Sequence, residues 1–369
     1  MGLISALGTL EASWQHLLAA VSGIQIHQPF PELAPQPLAL IAQTPAQLPT
    51  LTQQVVLLAL QDAGLVPPLQ DCGVVVGSSR GCQGIWEQLA REQALLKEIN
   101  WIDTLPNQGA IASARQIGTT APVFSPTAAC ATGTWAIAQG FELIQSGRCQ
   151  RVLAGAVEAP ITPLTLAGFH QLRALAKSGA YPFDQYRQGF VLGEGGAILV
   201  LESAELAQQR GAKIYGQVLG FGLTSDAYHA TAPAPESLSA IAAVKQCLDR
   251  SRLSPRDISY IHAHGTATQL NDQNEAYLIE KLFPQGVPIS STKGATGHTL
   301  GASGALGAAF CLLALKHQTL PPCVGLNLPA FNLDFVTSLR QAKVQQVLCF
   351  SFGFGGQNGA IAFGRWSGF

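Results

Sequence analysis

The stretch Pro126-Thr127-Ala128-Ala129-Cys130-Ala131-Thr132-Gly133 sets one cysteine where a short apolar segment, 121–125, gives way to a small-residue helix predicted over 131–146. A sulfur at a helix N-terminus meets unpaired backbone N–H groups and the positive end of the helix dipole, so the position is expected to favour a thiolate. Two other segments supply what such a nucleophile needs. These are His262-Ala263-His264-Gly265-Thr266-Ala267-Thr268 and Lys293-Gly294-Ala295-Thr296-Gly297-His298. One cysteine and two histidines in Gly/Thr-rich loops form a constellation suited to acyl transfer.

Outward from that point, the chain alternates apolar β-rich runs with helical patterns. Strands are predicted over 72–77, 121–125, 151–157, 197–202, 214–221, 258–263, 287–291, 347–352 and 359–363. Helices are predicted near 11–22, 50–64, 84–97, 131–146, 236–251, 272–283 and 299–317. Strand–helix alternation with continuous apolar strands indicates an α/β fold with buried sheets. The pattern also repeats: 124–127 leads into the helix at Cys130, and 289–292 leads into one expected to begin near His298. Gly297, Gly301 and Gly304, spaced by four and three, would share one face of that helix and admit a second backbone. Two similar halves are therefore expected, 1–205 with the cysteine and 206–369 with the histidines, and a boundary near 204–212. Residues 29–49, with six prolines, read as an ordered surface loop.

Of the 369 residues, 47% are hydrophobic and 12% charged, against a usual charged share of ~25%. So little charge predicts a surface partly covered by a second copy, hence a homodimer. A net charge of −1 gives no electrostatic case for nucleic acid or an anionic membrane. The eight cysteines have no metal-ligand spacing and lie mostly in apolar runs, as reduced thiols of a cytoplasmic protein do. The N-terminus lacks a basic n-region, and Ala6 breaks a myristoylation pattern. The uncharged stretch 294–315 holds five glycines and a histidine, which argues against membrane insertion.

At these motifs the chain resembles the elongating β-ketoacyl-acyl-carrier-protein synthases, condensing enzymes of the thiolase superfamily. The nucleophile segment 127–133 and the histidine segment 263–268, followed by Asn271, Asp272 and Glu275, carry the resemblance. So do the lysine–histidine segment 291–302 and the glycine-rich loop Phe352-Gly353-Phe354-Gly355-Gly356-Gln357-Asn358-Gly359. Segments Pro182-Phe183-Asp184, 189–195 and Asp226-Ala227-Tyr228-His229 are similar to further family segments, in the same order.

The resemblance implies a thiolase-like duplicated five-layer αβαβα sandwich. It implies decarboxylative condensation of an acyl group on Cys130 with malonyl-acyl-carrier protein, with no cofactor and no metal. Acyl-carrier protein is the implied partner. His264 and His298 would hydrogen-bond the enolate oxygen, while backbone N–H groups of Cys130 and Phe354, the latter between Gly353 and Gly355, would form the oxyanion hole. Lys293 would keep the local charge balance, with Asp272 as its partner and Glu275 in support. His229, Arg173 and Phe352 would line the pocket or meet the carrier protein.

Departures from the family pattern are also visible. The chain starts at Met1 inside the motif that usually follows a first β-strand, so that strand is expected to be missing or truncated. The segment between Gly77 and Pro122 is short. Gln188 replaces a common aspartate. Gly307 stands where the family usually has a glutamate that pairs with the lysine, and a glutamate restored there is expected to reach Lys293 if it fits. Three rival readings compete. In a serine hydrolase, Gly77-Ser78-Ser79-Arg80-Gly81 would carry the nucleophile. In a zinc site, His262 and His264 would form a pair. A catalytically weakened homologue would serve as a partner or chain-length subunit; such subunits commonly lack the cysteine that is present here.

Overall fold

The computed structural model describes residues 1–92 and 97–367. The first half runs β1 (Gly2–Ser5), β2 (Gly8–Thr9), α1 (Leu10–Leu18), β3 (Gln25–His27), β4 (Gln36–Ala39), α2 (Leu48–Ala63), β5 (Cys72–Gly77) and α3 (Gln83–Arg91). It continues with α4 (Gln108–Ile117), β6 (Val123–Phe124), α5 (Thr132–Gln145), β7 (Arg151–Glu158), α6 (Pro163–Gln171), β8 (Leu192–Gly193), β9 (Gly195–Glu202) and α7 (Ala204–Gln209). Next come β10 (Gln217–Ser225), α8 (Leu238–Ser251), β11 (Tyr260–His262), α9 (Gln269–Leu282), β12 (Ile289–Ser290) and α10 (Lys293–Thr296). The last elements are α11 (Ser303–His317), β13 (Thr319–Leu320), β14 (Arg340–Gln341), β15 (Gln346–Gly353) and β16 (Gln357–Gly364).

Two large sheets follow one plan. The first has the order β2-β1-β9-β7-β5-β6 and the second β10-β16-β15-β11-β12. From β1 inward the first sheet is antiparallel to β9, antiparallel again to β7, then parallel through β5 to β6. The second repeats that sequence from β10 through β16 and β15 to β11 and β12. In each, the short last strand turns directly into the helical segment that carries the site. The strands of the first sheet lie within 2–202 and those of the second within 217–364.

Between the sheets lie α5 and α11, whose apolar side chains join those of β7, β9, β15 and β16 in one core that includes Ile137, Leu199, Phe310, Leu313, Val347 and Phe363. The two helices cross in near backbone contact. A Cβ on Gly133 would sit 2.6 Å from the Ala305 nitrogen, and one on Gly304 would sit 2.3 Å from Thr134 Oγ1. Leu300–His317, the only stretch among the described residues long and apolar enough to cross a bilayer, is buried here between the sheets. A second cluster packs α2 and α4 on the outer face of the first sheet, and a third packs α8 and α9 on that of the second. This is the expected five-layer αβαβα arrangement.

Three sequence expectations need correction. The stretch 29–49 is not only a surface loop, because β4 within it is fully buried and pairs with β3 and β8. Pro37 is tolerated in this small three-stranded sheet because β8 pairs only with Leu38 and Ala39, so Pro37 is flanked by β3 alone. The segment after 297 is not one helix: Gly297 has φ +65° and closes α10, a short 3-10 turn follows at Leu300–Ala302, and α11 begins only at Ser303. Helices α4 and α6 have no counterpart among the predicted ones, since their apolar faces are narrow and interrupted by glycine. A buried strand, β1, is present at Gly2–Ser5. Part of the helix predicted over 84–97 falls at 93–96, outside the described residues.

Candidate active site

Cys130 lies in the turn between β6 and α5, one residue before the helix N-cap, Ala131. The turn is strained: Ala129 has φ +46°, a left-handed conformation that costs a non-glycine residue on the order of 1–2 kcal/mol. It is held from both sides. Thr132 Oγ1 accepts from the Ala128 N–H at 2.9 Å and donates to the Ala129 carbonyl at 2.7 Å, while Ser351 Oγ of β15 donates to the Cys130 carbonyl at 2.8 Å. The glycine-rich loop after β15 approaches closely. A Cβ on Gly353 would stand 2.9 Å from the Ala128 carbonyl oxygen and 3.0 Å from the Cys130 nitrogen, and the next N–H, that of Phe354, points at the sulfur.

Cys130, His264, His298, Phe352, Gly353 and Phe354 line one cavity of about 320 Å³. The two imidazoles meet edge to face with ring centres 5.4 Å apart. His298 is oriented by Ser303 Oγ, 2.9 Å from its Nδ1, and by the edge of Phe190 at 5.1 Å. His264 follows β11, and its backbone is fixed by Glu275, which accepts from the His264 N–H at 2.6 Å and the Gly265 N–H at 2.7 Å. Asp272 lies one turn earlier on the same face of α9 and accepts from the Phe183 N–H at 2.7 Å and the Ala267 N–H at 3.2 Å. Lys293 Nζ donates to the His264 carbonyl oxygen and stands 3.4 Å from His264 Nδ1. A cationic donor at Nδ1 leaves the proton of a neutral His264 on Nε2, directed away from the lysine.

Burial dominates the electrostatics. It holds both imidazoles well below the usual histidine range, and the nearby Lys293 charge adds to the effect, so both are neutral donors at ordinary pH. It also raises Asp272 to about 6 and Glu275 to about 7 against the backbone N–H bonds they accept. For Cys130 the sequence-based expectation of a lowered pKa is overturned. Burial pushes the thiol up to about 11, with Lys293 and the Phe354 N–H pulling the other way. The resting sulfur is a thiol whose ionisation waits on desolvated, fixed donors.

The expected Lys293–Asp272 pair does not form, and Glu275 does not replace it; among the described residues Lys293 makes no ion pair. Asp272 instead faces the Arg187 guanidinium at 3.9 Å. Gly307 does not open toward Lys293 either. A Cβ there would lie 2.8 Å from both His262 Nδ1 and Cys349 Sγ, so the space above this glycine is filled by the His262 ring. Among the other residues singled out, Arg173 and Gln188 line the same cavity, and Phe352 meets the His264 ring edge-on at 5.9 Å. Gly355, at φ +77°, shapes the loop. His229 is absent from the lining; it is exposed, and its Nδ1 accepts from the Thr231 and Ala232 N–H groups, each at 3.1 Å. The serine-hydrolase reading fails on geometry, since Ser79 Oγ donates to Glu158 at 2.5 Å instead of to a histidine.

Glu158 was not singled out from the sequence. Fully buried, it accepts from Ser78 Oγ at 2.6 Å, Ser79 N at 2.8 Å, Ser79 Oγ at 2.5 Å, Arg80 N at 3.1 Å and Gly301 N at 3.0 Å. It thereby ties the turn after β5 to the segment after His298. A lone glutamate at the end of an apolar strand was the available signal.

The chain matches the description "Beta-ketoacyl synthase, N-terminal domain" over residues 45–207 and "Beta-ketoacyl synthase, C-terminal domain" over 215–327. It is 40% identical over 274 residues to a 3-oxoacyl-[acyl-carrier-protein] synthase 2 from Synechocystis; the match covers 71% of this chain and 66% of that relative, just under two thirds of its length. Among solved structures it is similar to a chain of the ishigamide ketosynthase/chain length factor, with TM-score 0.93, 28% identity and coverage of 99% of this chain and 98% of that one. It is also similar to a structure described as a type II polyketide synthase acyl-carrier protein in complex with its ketosynthase bound to the hexaketide, with TM-score 0.90, 27% identity and coverage of 99% and 98%. With the duplicated sheets and the cysteine–histidine cavity, these matches place the chain in the β-ketoacyl synthase family, with the thiolase-like fold.

Proposed function

We propose that the protein catalyses decarboxylative condensation of an acyl group with malonyl-acyl-carrier protein, in fatty-acid or polyketide synthesis. The convergence of Cys130 with the neutral His264 and His298 in one cavity carries this reading. In the first half-reaction the Cys130 sulfur attacks the acyl thioester carbonyl of the carrier. Its proton leaves with the displaced pantetheine thiol. The tetrahedral oxyanion is held by the N–H groups of Cys130 and Phe354.

In the second half-reaction malonyl thioester loses carbon dioxide, and the electrons of the broken C–C bond form an enolate. Its oxygen accepts hydrogen bonds from Nε2–H of His264 and His298. The enolate carbon then attacks the acyl-cysteine carbonyl, and the Cys130 thiolate leaves and is reprotonated. Neutral imidazoles suit this step, because their donors stabilise the enolate without surrendering a proton to it. Lys293 acts as a positioning residue, holding the His264 backbone and its tautomer. Asp272 and Glu275 act likewise through the His264 loop.

The halves 1–205 and 206–369 act together, one bringing the nucleophile and the other the histidines. The outer edge of β6, with Val123 and Phe124 exposed, supports pairing with a second copy. Arg173, exposed at the cavity mouth, is the candidate contact for an acidic carrier protein. Similarity to bacterial relatives named 3-oxoacyl-[acyl-carrier-protein] synthase 2 supports a cytoplasmic location.

Intact-mass analysis after incubation with acyl-acyl-carrier protein tests the division of labour. Cys130→Ala should abolish the acyl adduct, whereas His298→Ala should acylate yet fail to condense with malonyl-acyl-carrier protein. Equal loss of acylation in both folded variants would overturn the scheme.

A further inference from the structure

The structure assigns to Arg80 the role of a specificity-determining residue: its guanidinium receives a hydrogen-bond-accepting oxygen on the acyl chain held at Cys130, so that oxygenated acyl groups are preferred over saturated ones. This deepens the condensation reading and rests on Cys130 as the acyl acceptor.

Arg80 is anchored by its backbone, whose N–H donates to Glu158 at 3.1 Å within the turn fixed by Ser78 and Ser79. From there its half-buried guanidinium lies over the Phe169 ring, 5.3 Å from the centroid. Phe169 is a wall of the Cys130 cavity and packs against Phe190 at 5.0 Å and Phe354 at 6.3 Å. The cation is close enough to the sulfur to favour its ionised form. Next to Arg80 in the chain, Gly81 and Cys82 line a second cavity, of about 380 Å³, with Phe30, Ile161 and Thr162. Cys130 and Phe169 line the first cavity and Ile161 the second, and all three belong to one apolar cluster that joins the two walls.

Among the described residues the Arg80 guanidinium has neither a carboxylate partner nor a hydrogen-bond acceptor; the Phe169 ring is its one stabilising contact. A planar group of five donors, partly withdrawn from water and stacked on an aromatic face, has its edge free for an oxygen acceptor. An alkyl chain running along the Phe169 wall would cover those donors and strip their remaining water without replacing it, an unfavourable exchange. A keto, hydroxyl or carboxylate oxygen at that depth would satisfy them.

The test compares three pantetheine thioesters of equal length: a saturated eight-carbon acyl group, its mid-chain ketone and its analogue ending in a carboxylate. The rate of adduct formation at Cys130 is read by intact mass. Wild type should acylate with one or both oxygenated groups about tenfold or more faster than with the saturated one, and the favoured arm identifies which oxygen is read. Arg80→Met, matched in length but without donors, should abolish that preference, and Arg80→Lys should keep part of it. A wild type that reacts equally with all three, or an Arg80→Met that forms adducts with an unchanged ratio, would overturn the assignment alone. No adduct at Cys130 from any thioester would overturn the condensation reading as well.

Discussion

Replacing Glu158 with glutamine probes the joint between the two halves at the site. In the wild type one carboxylate oxygen accepts from Ser78 Oγ at 2.6 Å and Arg80 N at 3.1 Å. The other accepts from Ser79 N at 2.8 Å, Ser79 Oγ at 2.5 Å and Gly301 N at 3.0 Å. An amide must turn its NH₂ toward one of these groups. The gentler choice faces Ser78 and Arg80: the serine hydroxyl can rotate to accept, but the Arg80 N–H loses its acceptor. One orphaned buried donor costs about 1–3 kcal/mol, and the three bonds kept by the other oxygen lose their charge assistance. Relief of the buried charge offsets part of this. The expected net loss of stability is about 2–4 kcal/mol, read from urea unfolding as a lower midpoint at unchanged slope. Because the Arg80 N–H loses its acceptor while the bond to the Gly301 N–H weakens, the variant that remains folded should also acylate more slowly. An unfolding midpoint and acylation rate equal to wild type would refute the idea that Glu158 holds the turn and the His298 segment in register.

Gly307→Ala should destabilise the protein by about 1–3 kcal/mol through overpacking against His262 and Cys349. Most of that loss should vanish in a His262→Ala background; an additive double-mutant cycle in chemical denaturation would contradict the contact. Since burial raises the Cys130 thiol to about 11, its thiolate fraction grows about tenfold per pH unit below that value. Alkylation of Cys130 by iodoacetamide, followed by peptide mass mapping, should therefore rise steadily with pH through 7 to 9. A plateau near pH 7 would indicate a thiolate already present at rest.

The alternation of strands and helices, the doubled strand–turn–helix pattern and the Cys130, His264 and His298 segments were all legible in the amino-acid sequence. Each is written in local chemistry: apolar periodicity, small residues at turns, and polar side chains between glycines and threonines. The Glu158 hub could not be read in this way, because its five donors come from 78–80 and 301, far away in the chain. The ionisation of Cys130 was misjudged for a related reason. A helix N-terminus is a local feature, whereas the burial that outweighs it arises when β15, its glycine loop and Phe169 close over the sulfur. Likewise the sequence marks Gly307 as a departure, but only the packing of α11 against β11 and β15 shows the space above it filled by His262. It also leaves Lys293 bound to the His264 carbonyl instead of a carboxylate. Residue types and spacing thus determined which groups could do the chemistry. Tertiary packing decided their protonation and partners, because desolvation and contact depend on neighbours that local sequence does not name.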